Sequence, residues 1–272
     1  MIGRRLWPTL LALLIAGVLL EPGSMSAAPV AVRYTEGLIH GFVVLRALEG
    51  NLLADGDWIQ FARAGQVTAR LLLHFKDGSL HDETAVFSEH RVFRLLTYRL
   101  VQKGPAFQHP VEVSIDGSKG QVTVRSSGDD GKEKTSTDRM DLPADLANGM
   151  VLVLLKNIRP DVPQTKIALL ATAPKPRLVK LSVTPQGEEP FSTGDSNRKA
   201  MHYVVKVEIG GAAGLIAPLL GKQPSDIHVW ILGGEAPTFL KSEGPLYFGG
   251  PIWRIELVSP VWPQAPGADS KH

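Results

Sequence analysis

Residues 141–158 read "DLPADLANGMVLVLLKNI", and the unbroken apolar run from Met150 to Leu155 decides how the rest of the chain is read. Asp141 can cap a helix, Pro143 fits a first turn, Asp145 suits the positive end of the helix dipole and Lys156 the negative end. Together these signals predict a helix over 142–158. Leu142, Leu146, Met150, Val153 and Ile158 run down one side, and the apolar run fills most of the others. A helix apolar nearly all round needs cover on nearly every side.

The flanking sequence offers strands as that cover. In "VTARLLLHFKDGSLHDETAVF", Val67, Ala69, Leu71, Leu73 and Phe75 alternate with Thr68, Arg70, Leu72, His74 and Lys76, and Asp77-Gly78 signals a tight hairpin. That turn predicts Phe75 opposite Leu80 and His74 opposite His81. In "VEVSIDGSKGQVTV", a loop over 117–120 predicts Ile115 opposite Val122 and Val113 opposite Val124, so β-branched side chains meet on one face. "LIHGFVVLRAL", "DWIQFARAG" and "RVFRLLTYRLV" read as strands before the helix. "KIALLATA", "RLVKLSVTP", "HYVVKVEI", "IHVWILGG", "PTFLKSEG" and "PIWRIELVS" follow it. About a dozen short strands at this spacing predict an antiparallel sheet that curls or closes. The polar stretches 126–138 and 186–200 read as solvated loops, since neither offers apolar surface to bury.

The first 28 residues carry Arg4 and Arg5, then an uncharged apolar run over 6–20, then small residues up to Ala28. This is the order of a secretory signal peptide. The run is shorter than the roughly 20 apolar residues of a spanning helix. The expected organisation is a signal peptide over 1–28, a single β-rich domain over 29–259 and a disordered tail over 260–272, in a protein exported to the periplasm or beyond. No cysteine is present, so no disulfide supports the fold and no thiol acts as nucleophile or metal ligand. Without Arg4, Arg5 and Glu21 the balance becomes 27 basic against 26 acidic residues, which gives no electrostatic case for nucleic acid. No transmembrane helix is expected after signal cleavage.

Candidate chemistry is sparse. The predicted hairpin makes His74 and His81 neighbours, with Asp82 and Glu83 close by, a combination that suits zinc. It reads equally as a solvated polar face with no third inward ligand, and no metal or other cofactor is assigned. "TGDSN" at 193–197 resembles the nucleophile block of some Gly-Asp-Ser hydrolases, but no Asp-x-x-His partner follows and turn chemistry explains it. The chain has no G-x-S-x-G, no phosphate-binding glycine loop and no H-E-x-x-H. Gly210, Gly211 and Gly214, followed by Leu215, Ile216 and Leu219, read as a buried connection between strands or as an apolar lid over a cavity mouth.

The stretch "LLGKQPSDIHVWILGGEAPTFLKSEGPLYFGGPIWRIELVSP" resembles the ending of a family of uncharacterised exported bacterial β-proteins. In that family a strand centred on a Val-Trp or Ile-Trp pair leads through a Pro-containing turn to two further strands. Here the pair is Val229-Trp230. The block "DLPADLANGMVLVLLKN" resembles theirs as well. The resemblance implies export and a β fold and carries no assigned activity. A curved sheet enclosing a helix is similar, in architecture alone, to the half-barrel of periplasmic lipoprotein carriers, which bind acyl chains in an apolar concavity. Two functional expectations result. One is an envelope protein that binds a lipid or other apolar ligand between sheet and helix, lined by Met150, Leu154, Leu155, Leu215, Ile216 and Leu219. The other is a non-catalytic structural or protein-interaction module with a fully packed core.

Overall fold

A computed structural model describes residues 29–127, 132–172, 175–193, 196–208 and 224–258. The expected signal peptide, the expected tail and the lid residues Leu215, Ile216 and Leu219 lie outside the described residues. The period-two patterns become one antiparallel sheet of fourteen strands. Before the helix come β1 (Ile39–Ala47), β2 (Leu52–Arg63), β3 (Gln66–Phe75), β4 (Leu80–Glu89), β5 (Phe93–Lys103), β6 (Val111–Asp116), β7 (Gln121–Ser127) and β8 (Glu133–Arg139). The helix α1 (Val151–Asn157) is followed by β9 (Thr165–Ala171), β10 (Arg177–Thr193), β11 (Ser196–Glu208), β12 (Ile227–Leu232), β13 (Thr238–Gly244) and β14 (Trp253–Val258).

The strand order is β8-β7-β6-β5-β4-β3-β2-β1-β14-β13-β12-β11-β10-β9. Two meanders are thus sewn together where β1 meets β14, from Phe42 opposite Val258 to Ala47 opposite Trp253. β8 and β9 form the two ends of the order, so the sheet does not close. It curls all the same. Trp58 of β2 stacks on Phe239 of β13 at 6.3 Å, and Gln102 of β5 donates to the carbonyl of Leu246, beyond β13, at 2.9 Å.

The two faces differ in kind. Val43, Leu45, Val67, Leu73, Phe87, Val205 and Val229 are all at most 1% exposed and belong to one apolar cluster. The opposite face carries cross-strand ion pairs: Arg70 with Asp82, Arg99 and Arg125 with Glu112, Arg254 with Glu243, and Arg46 with Glu256. A charged outward face is that of a sheet in water. A membrane barrel carries an apolar band there, where each buried cation would cost about 2–4 kcal/mol.

Several expectations need correction. The helix spans only Val151–Asn157, because Gly149 takes a left-handed φ of +67° and ends any helix arriving from Asp141. The preceding segment instead lies along the free edge of β9, with a parallel bridge between Leu146 and Ala168. The Ala147 N–H donates to Ala168 O at 2.9 Å, and the Asn148 amide pairs with both the N–H and the C=O of Leu170, at 2.8 and 3.0 Å. Asp145 therefore serves β9 through its backbone oxygen and not as a helix-dipole partner.

The first hairpin is one residue out of the expected register. His74 faces Leu80 and Leu73 faces His81, because Phe75 N–H closes onto Ser79 O around Gly78 at φ +84°. The extra residue swaps faces, so His74 is exposed while His81 is 3% exposed in the interior. The second hairpin has the expected pairs Ile115 with Val122 and Val113 with Val124. The stretch expected as a loop at 186–200 is largely the far end of the long β10–β11 ladder, and part of that at 126–138 is β8.

Candidate functional site

Four of the six residues of the apolar run are buried, while Val151 and Leu152 are only partly covered. Met150, Leu154 and Leu155 are 1%, 2% and 1% exposed and share one cluster with the inward residues of the strands. The end of α1 is anchored by charge. Lys156 Nζ pairs with the carboxylate of Glu36, both side chains being nearly buried. Glu36 also accepts from Gln60 Nε2 at 2.5 Å, while its own N–H donates to Glu89 at 2.7 Å. Asn157 Oδ1 accepts the backbone N–H groups of Arg33 and Tyr34, each at 2.8 Å. In the sequence Lys156 suits the negative end of the helix dipole, and nothing around Glu36 marks it as the partner.

A second polar cluster lies further along the interior. Gln102 Nε2 donates both to Leu246 O at 2.9 Å and to His81 Nδ1 at 3.1 Å, which puts the imidazole proton on Nε2. That Nε2 is buried and has no partner among the described residues. Burial lowers the His81 pKa to about 4. On the neighbouring strand positions Tyr98 OH donates to Glu83 Oε1 at 2.9 Å, and burial raises the pKa of both groups. The Asp145 carboxyl pKa is raised by the same cause, and its Oδ1 is buried without a partner among the described residues.

On the outward face the conspicuous feature surrounds Trp230. Its indole N–H donates to Glu189 Oε2 at 2.7 Å, its ring stacks on His202 with centroids 4.5 Å apart, and Lys241 Nζ lies 4.0 Å from its centroid. Glu189 Oε1 is 2.9 Å from His202 Nδ1, and His202 Nε2 is 2.9 Å from His228 Nδ1. With His202 donating to Glu189, its Nε2 accepts from His228, a carboxylate–imidazole–imidazole line that can hold or pass a proton. The indole bond holds the Glu189 pKa down, and burial lowers that of His202. Among the described residues, no hydroxyl nucleophile bonds to this line, and no group of three or more His, Asp or Glu is arranged for a metal ion. Trp230 was visible in the sequence as one member of the Val229-Trp230 pair. His202 and Glu189 were not, because the β11–β12 pairing sets His202 opposite Trp230 and the long β10–β11 pairing brings Glu189 to both.

Two grooves of about 240 and 360 Å³ lie over β4 to β8. They are lined by polar side chains such as Arg99, Ser114, Asp116, Thr123 and Thr137, and none of Met150, Leu154 or Leu155 lines either. The sequence-predicted residues Met150, Leu154 and Leu155 are thus together in the core. Leu215, Ile216 and Leu219 lie outside the described residues. Comparisons with family models, curated proteins and solved structures find no match to this chain.

Proposed function

We propose that the protein is an exported, non-catalytic structural or protein-interaction module of the cell envelope, in which the curved sheet wraps α1 and fills its own interior. The observation that carries this reading is the burial of Met150, Leu154 and Leu155 at 1–2% exposure inside the same cluster as the inward strand residues. An apolar ligand of ordinary size occupies on the order of 300 Å³ or more. Space of that kind beside α1 would leave one flank of the helix uncovered. The polar anchors at Lys156 and Asn157 hold the helix end to residues 33–36 and so support a fixed position. The charged outward face, with the Trp230 cluster at its most elaborate point, is then the surface that meets other molecules.

Mass spectrometry of organic extracts from protein purified out of its native envelope tests this. Repeated absence of a stoichiometric lipid agrees with a filled core. A co-purifying lipid at about one per chain would replace this reading with that of an apolar-ligand carrier.

A further inference from the structure

The two ends of the sheet are treated differently. At β9 the edge is occupied: the segment through Leu146, Ala147 and Asn148 satisfies the backbone of Ala168 and Leu170. At β8 no strand follows in the order, and all seven residues from Glu133 to Arg139 are exposed. Edges of this kind are normally blunted by a bulge, a proline, a covering segment or charged side chains. Among the described residues β8 has only the charged side chains: no segment follows it in the sheet, its register with β7 runs without a shift from Arg139 opposite Gln121 to Glu133 opposite Ser127, and the strand contains no proline.

The sequence of this edge, "EKTSTDR", is complementary to itself in the antiparallel sense. Two copies related by a two-fold axis at Ser136 would set Glu133 against Arg139, Lys134 against Asp138, Thr135 against Thr137 and Ser136 against Ser136. Every charged residue would then face its opposite, and each threonine would face another. Both kinds of cross-strand pair are favourable. Among the described residues none of Glu133, Lys134, Asp138 or Arg139 spends its charge on an ion pair within the chain.

We propose that β8 is a homodimer interface, in which a second copy of this chain adds its own β8 antiparallel and continues the sheet across a two-fold axis at Ser136. The closed symmetry uses one patch on both copies. The backbone donors and acceptors left over at the open edge supply the ladder, and the charge order supplies the register. This inference stands apart from whether the core is filled, since it concerns only the outer edge.

The test is the mass of the purified protein in solution at protomer concentrations of tens of micromolar, by light scattering after size exclusion. Twice the protomer mass is expected. The double variant Glu133→Lys/Lys134→Glu sets like charges against each other at both ends and is expected to run as a monomer. Adding Asp138→Lys and Arg139→Glu restores opposite pairs and is expected to restore the dimer. Because the chain has no cysteine, Ser136→Cys gives an independent readout. Opposed strand positions lie within disulfide range, so oxidation should link two copies at least about tenfold faster than it links a Ser118→Cys control in the β6–β7 turn. A wild-type monomer, a dimer indifferent to the charge reversal, or cross-linking no faster at position 136 than at position 118 would each overturn the proposal.

Discussion

Lowering the pH should weaken this fold through His81. The imidazole is 3% exposed, its Nδ1 is taken by Gln102 and its Nε2–H has no partner among the described residues, so a second proton finds no hydrogen-bond acceptor there. Its pKa in the fold is about 4 against an ordinary 6.5. Above pH 6.5 the group is neutral in both states and costs nothing. As the pH falls below 6.5 the unfolded chain binds a proton that the folded chain refuses, and stability drops by about 1.4 kcal/mol per pH unit until the folded group titrates. The loss is roughly 2 kcal/mol by pH 5 and about 3 kcal/mol by pH 4. Other buried acids act in the same range: Glu83 and Asp145, raised by burial, favour the fold at low pH, while Asp82, lowered by its bond to Arg70, favours it at higher pH. The informative quantity is therefore a difference. Urea denaturation from pH 7.5 to 4.5 should show the wild type losing about 2–3 kcal/mol more than His81→Asn, whose amide oxygen can still accept from Gln102 without titrating. Parallel loss in the two proteins would refute the placement of His81 as a buried neutral group.

The anchor of α1 predicts asymmetry. Lys156→Met leaves the buried Glu36 carboxylate with the Gln60 amide but no opposite charge and should cost about 3–5 kcal/mol in urea denaturation, whereas Lys156→Met with Glu36→Leu should recover most of that loss. Asn148→Ala removes both bonds to the Leu170 backbone and strands a buried N–H and C=O, so stability should fall by about 2–4 kcal/mol. The same variant, read by hydrogen exchange, should show faster exchange at Leu170 than elsewhere in β9. An unchanged rate there would contradict the covered edge.

How much of this was legible before the structure depended on whether a feature was local. The β6–β7 pairs followed from β-branched residues that meet in only one register. The β3–β4 pairing did not, although its turn was equally plain. Asp77-Gly78 fits both a two-residue loop and one with an extra residue, and the difference of one separates the two histidines, expected on one face, and turns His81 alone inward. The helix was read too long for a similar reason. Capping signals at Asp141 and Pro143 are real local preferences, but the free backbone of β9 offers the same segment hydrogen bonds that no local pattern announces, and Gly149 lets the chain turn from edge partner into helix. The buried pair of Lys156 with Glu36 joins residues 120 positions apart. The line from Glu189 through His202 to His228 depends on a polar hairpin that local composition marks as loop. The expectation of a helix enclosed by strands came from the six-residue apolar run alone; of that run Met150, Val153, Leu154 and Leu155 are buried, whereas Val151 and Leu152 are partly exposed.

Whether α1 is a fixed part of the core is measured most directly by native-state amide hydrogen exchange under increasing urea. If the helix is packed as described, the hydrogen-bonded amides of Leu154, Leu155 and Ile158 open only with the global transition and give the same opening free energy as the amides of Leu71 and Leu73 in β3. If those helix amides open several kcal/mol more easily than β3, with little dependence on urea, α1 moves on its own and the filled interior is wrong.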